Sequence, residues 1–105
     1  MDKLYAITRA LNRRFPNSNE PFQIVTRLLE ECGELAEQVN HFEGSVTKRE
    51  KYGEPDRAKM AKEVMDVIRC ALQIAMYYGI EQELEATINE RYQRAETEGL
   101  IRSQG

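Results

Sequence analysis

Two short acidic motifs contain the residues of this chain that are best suited to chemistry. The first reads E-E-C-G-E and places Glu30, Glu31 and Glu34 on one predicted helix, and the second reads E-V-M-D and places Glu63 and Asp66 on another. Carboxylates three residues apart lie about one turn apart on one side of a helix. If the two helices pack together, the acidic pairs converge, and their mutual repulsion favours a cation between them. Oxygen ligands of this kind predict Mg²⁺ or Mn²⁺ rather than zinc or copper.

The composition is typical of one globular domain spanning residues 1–105, with 41% hydrophobic and 31% charged residues. The net charge of −3 does not indicate a nucleic-acid polymer as partner. No apolar run is long enough to span a membrane, so no membrane partner is expected. The N-terminus shows no signal-peptide pattern, and both cysteines lie in helical patterns as expected free thiols, so we predict a cytoplasmic protein.

The periodicity predicts an all-α fold, a four-helix bundle-like domain completed by homo-oligomerisation. The predicted helices span residues 2–14, about 20–42, about 55–78 and about 81–98, with Gly79 as a left-handed C-cap. Residues 44–55 contain two glycines and a proline and are predicted to form a loop that closes over the substrate.

An apolar arc runs beside the acidic margin on each of the two motif helices. On the earlier helix it comprises Ile24, Val25, Leu28, Cys32, Leu35, Ala36, Val39 and Phe42, and on the later one Val64, Val67, Ile68, Ala71, Ile74 and Ala75. We expect the two arcs to pack against each other. The later helix has a second apolar set, Met65, Leu72 and Met76, roughly opposite the first. A helix that is apolar nearly all round must be buried on both sides, which predicts either a homo-oligomer through this helix or a central helix in a monomer.

The order of these elements resembles the MazG-like, all-α nucleoside triphosphate pyrophosphohydrolases. The acidic motifs match the family's E-E-x-x-E and E-x-x-D, although Met65 stands where the family often has glycine. The segment Ile88-Asn89-Glu90-Arg91-Tyr92 is similar to the family's I-N-x-x-R-Y pattern. The resemblance covers about residues 20–98.

The resemblance implies an enzyme that needs Mg²⁺ or Mn²⁺ and hydrolyses the bond between the α and β phosphates of a nucleotide. The products are a nucleoside monophosphate and pyrophosphate, and a house-cleaning role is one that the family suggests. It also implies a homodimer or tetramer. On this interpretation the metal ligands are Glu31, Glu34, Glu63 and Asp66, and Glu30 is the catalytic base or positions the attacking water. The candidate substrate-binding residues are Asn89, Arg91, Arg94, Lys48, Arg49 and Lys51.

Other interpretations of the same residues stay open. Asp66 could pair with Arg69 instead of a metal, and the glutamates could be solvated charges on a non-catalytic helical interaction or regulatory module that retains the fold. A di-iron bundle needs E-x-x-H on two helices, and the only histidine, His41, follows no glutamate at that spacing. We expect His41 at the surface or at the rim of a pocket.

Overall fold

The computed structural model describes residues 1–44 and 46–102, with the exception of the side chain of Lys48. Over these residues it contains five helices and no strand, which confirms the all-α prediction. The helices are α1 (Asp2–Arg14), α2 (Pro21–Glu43), α3 (Val46–Tyr52), α4 (Arg57–Tyr77) and α5 (Glu81–Thr97). In this part of the chain, no helix is both long and apolar enough to cross a membrane.

The chain divides into two compact units, Met1–Ile74 and Ala75–Gly105, with the boundary inside α4. The first unit contains α1, α2, α3 and most of α4, and the second contains the end of α4 and all of α5. Thr8, Ile24 and Cys70 are the large side chains that the first unit buries completely.

Local sequence signals explain where the long helices begin and end. Pro21 opens α2, and Glu20 and Gln23 form a capping box in which the Glu20 N–H donates to Gln23 Oε1 at 3.0 Å. Asp56 caps α4, since its Oδ1 accepts the Ala58 N–H at 2.8 Å. Gly79 has φ +65° and closes a Schellman motif after α4, in which the Ile80 N–H donates to Ala75 O at 2.9 Å.

The predicted loop over residues 44–55 was wrong for its middle part, because α3 occupies Val46–Tyr52. The loop prediction rested on Gly44, Gly53 and Pro55. These residues bound a short helix instead of preventing one: Gly53, with φ +82°, donates its N–H to Arg49 O at 2.8 Å and ends α3.

The two apolar arcs are only partly buried in the single chain. Ile24 is buried, but Val25, Val39, Val64 and Ile68 are 42%, 44%, 42% and 38% exposed. From the second apolar set, Leu72 is buried and Met65 and Met76 are half-buried. Apolar side chains of both helices thus remain at the surface, while the polar Asp66 and Gln73 of α4 are buried.

A network of amide side chains and one arginine fills part of the interface in the first unit. The buried Gln73 donates through Nε2 to Asn12 Oδ1 at 2.8 Å and to Asn19 Oδ1 at 3.0 Å. Arg27 Nη2 donates to Asn19 Oδ1 at 3.0 Å and to Gln73 Oε1 at 3.4 Å. The network therefore joins α1, the turn before α2, α2 and α4, and it fixes the helices that bear the acidic motifs.

Replacing Gln73 with leucine should lower the free energy of unfolding by roughly 1–3 kcal/mol, because it leaves buried polar partners without hydrogen bonds. Chemical denaturation of the variant measures this loss. Gln82→Leu, at an exposed position of α5, is the matched control and should change the stability little. Equal stabilities of the two variants would contradict a structural role for the network.

Candidate metal centre

Three carboxyl groups from α2 and α4 meet in the first unit, and we call Glu31, Glu63 and Asp66 the acidic triad. One carboxylate oxygen of each lies within 4.8 Å of the others. Asp66 is 8% exposed, and Glu31 and Glu63 are half-buried. Arg27 on α2 meets Gln73 on α4, and Glu31 meets Glu63 and Asp66. The two helices therefore run antiparallel past each other, and the triad marks the place where their acidic faces cross.

The close approach of the carboxyl groups has its main effect on the pKa of Glu31. Its pKa is raised from 4.5 to about 7, first by burial and then by the neighbouring charges of Glu34 and Asp66. A hydrogen bond with Glu63 acts in the same direction, because it requires a proton between the two carboxyl groups. A cation bound at the site would take the place of the proton on Glu31. It would stabilise the ionised form of this carboxyl group near neutral pH.

Two buried oxygens of the triad have no hydrogen-bond donor: Glu31 Oε2 and Glu63 Oε2. Buried carboxylate oxygens normally accept a hydrogen bond or bind a cation, because their desolvation is otherwise uncompensated. A shared proton compensates the pair only while Glu31 is protonated. The oxygen-only donor set and the unpartnered oxygens fit a hard divalent cation such as Mg²⁺ or Mn²⁺.

Asp66 is also compensated by two basic side chains of its own helix. Lys62 Nζ lies 3.1 Å from Asp66 Oδ2, and Arg69 Nε lies 3.8 Å from Asp66 Oδ1. The interaction with Asp66 raises the pKa of Lys62. The predicted alternative of an Asp66–Arg69 pair is therefore present in the structure. Lys62 Nζ also lies 3.7 Å from Glu63 Oε1, but Glu31 Oε2 and Glu63 Oε2 have no hydrogen-bond partner.

The other two glutamates of the first motif are not part of the triad. Glu34 is exposed and is not one of the three converging groups, although it lies close enough to raise the pKa of Glu31. Glu30 is exposed as well. Their assignments as metal ligand and as base or water-positioning residue stay predictions.

The predicted substrate-binding residues lie in two places. In the second unit, Asn89, Arg91 and Arg94 are exposed on α5, and Arg94 Nη2 lies 3.1 Å from Glu90 Oε1. In the first unit, Arg49 donates to Phe42 O at 3.1 Å and so stabilises the end of α2, and Lys51 Nζ lies 5.2 Å from the centre of the Tyr52 ring. Lys48 belongs to α3, and its side chain lies outside the described residues. The binding roles of all six stay predictions.

A cavity of about 560 Å³ in the first unit was not foreseen from the sequence. It is lined by side chains from the end of α2, from α3 and the following turn, and from the start of α4, including Gln38, His41 and Lys59. His41, which we expected at the surface or at the rim of a pocket, is half-buried and lines this cavity. One feature of the sequence could have indicated the cavity. Gln38 follows Glu31 by seven residues, so the two side chains lie on the same side of α2.

The raised pKa of Glu31 gives a testable pH dependence of stability without metal. Between pH 4.5 and about 7 the folded chain keeps a proton that the unfolded chain has released. The stability from this group is therefore complete below about pH 4.5 and is lost as the pH rises to about 7. Urea denaturation in EDTA should show wild type losing stability relative to Glu31→Gln over this range.

Glu30→Gln is the control for this measurement, because Glu30 is exposed and next to Glu31. Its stability should follow that of wild type at every pH. If the free energies of unfolding of wild type and Glu31→Gln differed by a constant amount from pH 4 to pH 8, the raised pKa of Glu31 would be contradicted.

Comparison with known proteins agrees with this geometry. The family model of the MazG nucleotide pyrophosphohydrolase domain matches residues 19–96, a range that includes both acidic motifs. No curated protein and no solved structure matches the chain. Because the family model covers well over half of the sequence, the chain belongs to the MazG nucleotide pyrophosphohydrolase family.

Proposed function

We propose that this protein is a Mg²⁺- or Mn²⁺-dependent hydrolase that converts a nucleoside or deoxynucleoside triphosphate and water into the nucleoside monophosphate and pyrophosphate. The observation behind this proposal is the acidic triad, with converging oxygens of which two are buried without donors. Membership of the MazG family supports nucleotide hydrolysis in general. The bond cleaved, the metal and a house-cleaning role are parts of the proposal.

The residues of the chain supply positioning and charge for this reaction. A divalent cation at the triad would neutralise phosphate oxygens and lower the pKa of water. Glu31, Glu63 and Asp66 would hold it, with Glu34 on the exposed side as a further ligand. Lys62, which now pairs with Asp66 and whose side chain is 62% exposed, would be released toward a phosphate oxygen. The exposed Glu30 would accept a proton from the attacking water.

We also propose that the protein works as a homo-oligomer. The apolar side chains left outside on α2 and α4 include Val25, Leu29, Val39, Val64 and Ile68, and Leu29 is 66% exposed. Val39 and Phe42 of α2 and Met60 and Val64 of α4 line one groove of about 610 Å³. Contiguous apolar surface of this kind is typical of an interface, and a second copy of the chain is the partner that the predicted bundle requires.

The catalytic proposal predicts pyrophosphate release from nucleoside triphosphates with Mg²⁺ or Mn²⁺ and none with EDTA. Glu31→Gln, Glu63→Gln and Asp66→Asn should each lower kcat at least about 100-fold, because each removes a cation ligand from the reacting phosphate. Coupled detection of pyrophosphate, with identification of the monophosphate, measures this.

Glu85→Gln, on the exposed surface of α5, is the matched control and should keep wild-type activity. Full activity of any of the three triad variants would remove that residue from the metal centre. A folded protein that releases pyrophosphate from no triphosphate would favour the non-catalytic module instead.

The oligomer proposal predicts that Val25→Glu and Ile68→Glu shift the protein toward monomer in sedimentation velocity, because each would place a charge within an apolar interface. Val46→Glu, at a 71% exposed valine of α3, is the control and should leave the sedimentation coefficient unchanged. A wild-type protein that sediments as a monomer at all concentrations would contradict the proposal.

A further inference from the structure

The cavity beside the acidic triad has the position expected of a substrate pocket. On α2, Gln38 lies seven residues beyond Glu31, about 10 Å along the axis, and on α4 Lys59 lies one turn before Glu63. Because α2 and α4 run antiparallel, both displacements lead toward the same end of the first unit. The volume of about 560 Å³ lies within the range of small-molecule sites.

The charges of the lining exclude a phosphate site in the cavity itself. Glu37, Glu54 and Asp56 contribute three carboxylates, against the single lysine Lys59. A triphosphate in this cavity would be repelled, whereas the uncharged part of a nucleotide would not. The division of charge therefore favours the phosphates at the cation-binding triad and the nucleoside in the cavity.

Two aromatic rings form one wall of the cavity. The rings of His41 and Tyr52 meet edge to face, with centroids 6.3 Å apart and an interplanar angle of 73°. His41 Nε2 lies 2.8 Å from Gly53 O, and because a carbonyl only accepts, this nitrogen carries the proton and donates it. The contact ties α2 to the end of α3 and holds the imidazole as a fixed surface for a planar ring.

The hydrogen-bonding groups of the lining are mainly acceptors. Besides the carboxylates, Gln38 Oε1 is buried at the wall without any donor. The unpartnered oxygen is the group of Gln38 that a hydrogen-bond donor on a ligand would satisfy. A ring with an exocyclic amino group offers such a donor, whereas a ring with a carbonyl at the same position would place acceptor against acceptor.

We propose that this cavity is the nucleobase pocket of the enzyme, that the ring of His41 packs against the base, and that Gln38 selects bases bearing an amino group over their carbonyl counterparts. The inference rests on the proposed function, because it takes the triad as the site of the phosphates. It assigns the substrate class to cytosine- and adenine-type nucleotides rather than uracil- and hypoxanthine-type ones.

The test is an NMR titration of ¹⁵N-labelled full-length protein, in the presence of Mg²⁺, with dCMP and dUMP, which differ in the amino or carbonyl group at one ring position. We expect dCMP to shift the Gln38 side-chain amide and the His41 backbone amide and to bind at least about 5-fold more tightly than dUMP. Gln38→Met should abolish this preference, while Gln38→Glu, which keeps an acceptor, should retain it. The pair dAMP and dIMP should behave in the same way.

Shifts confined to other parts of the protein, or no binding of either nucleotide, would overturn the proposal. So would a preference for dUMP, because it would mean that Gln38 presents a donor to the cavity. Pyrophosphate release measured in parallel separates the two claims. Hydrolysis with shifts elsewhere refutes the pocket alone, and the expected shifts without hydrolysis of any triphosphate refute the catalytic function alone.

Discussion

The repulsion among three carboxyl groups at the crossing of α2 and α4 is the constraint on which the rest of the structure depends. Glu31, Glu63 and Asp66 are brought within 4.8 Å of one another on the inner faces of the helices. Protein interiors tolerate such a group only with a compensating proton or cation. Here Lys62 and Arg69 pair with Asp66, Lys62 also lies 3.7 Å from Glu63 Oε1, and the raised pKa of Glu31 favours a proton on that carboxyl group. We propose that a divalent ion completes this arrangement.

The inward position of the triad has a consequence for the other faces of the same helices. A helix that turns acidic and amide side chains inward cannot also bury the valines that lie about a quarter of a turn away. Val25, Val39 and Val64 are accordingly more than 40% exposed. On the inner side, the side chains of Asn12, Asn19, Gln73 and Arg27 form hydrogen bonds with one another. These bonds compensate for the burial of their polar groups. The acidic triad and the exposed apolar surface are thus two effects of one helix orientation.

The sequence alone predicted the four longer helices and all three residues of the triad, because these depend on local signals. Pro21, Asp56 and Gly79 mark helix ends through backbone geometry that any context preserves. The spacing of Glu63 and Asp66 fixes their common side of α4. The orientation of the helices was not predictable in this way, because both have apolar residues on more than one side and periodicity does not decide which side faces inward. The cavity was missed for a related reason, since it forms between Gln38, Tyr52 and Lys59, which only the tertiary fold brings together.

We propose that the acidic triad binds the metal ion and that this ion in turn binds the nucleotide. The most direct test is the anomalous scattering of crystals grown with Mn²⁺ and an α,β-imido deoxynucleoside triphosphate, which cannot be cleaved at the bond in question. We expect a manganese peak coordinated by Glu31, Glu63 and Asp66 and by oxygens of the ligand's phosphates. Phosphates bound elsewhere, with no manganese at the triad and Asp66 still paired with Lys62 and Arg69, would contradict it.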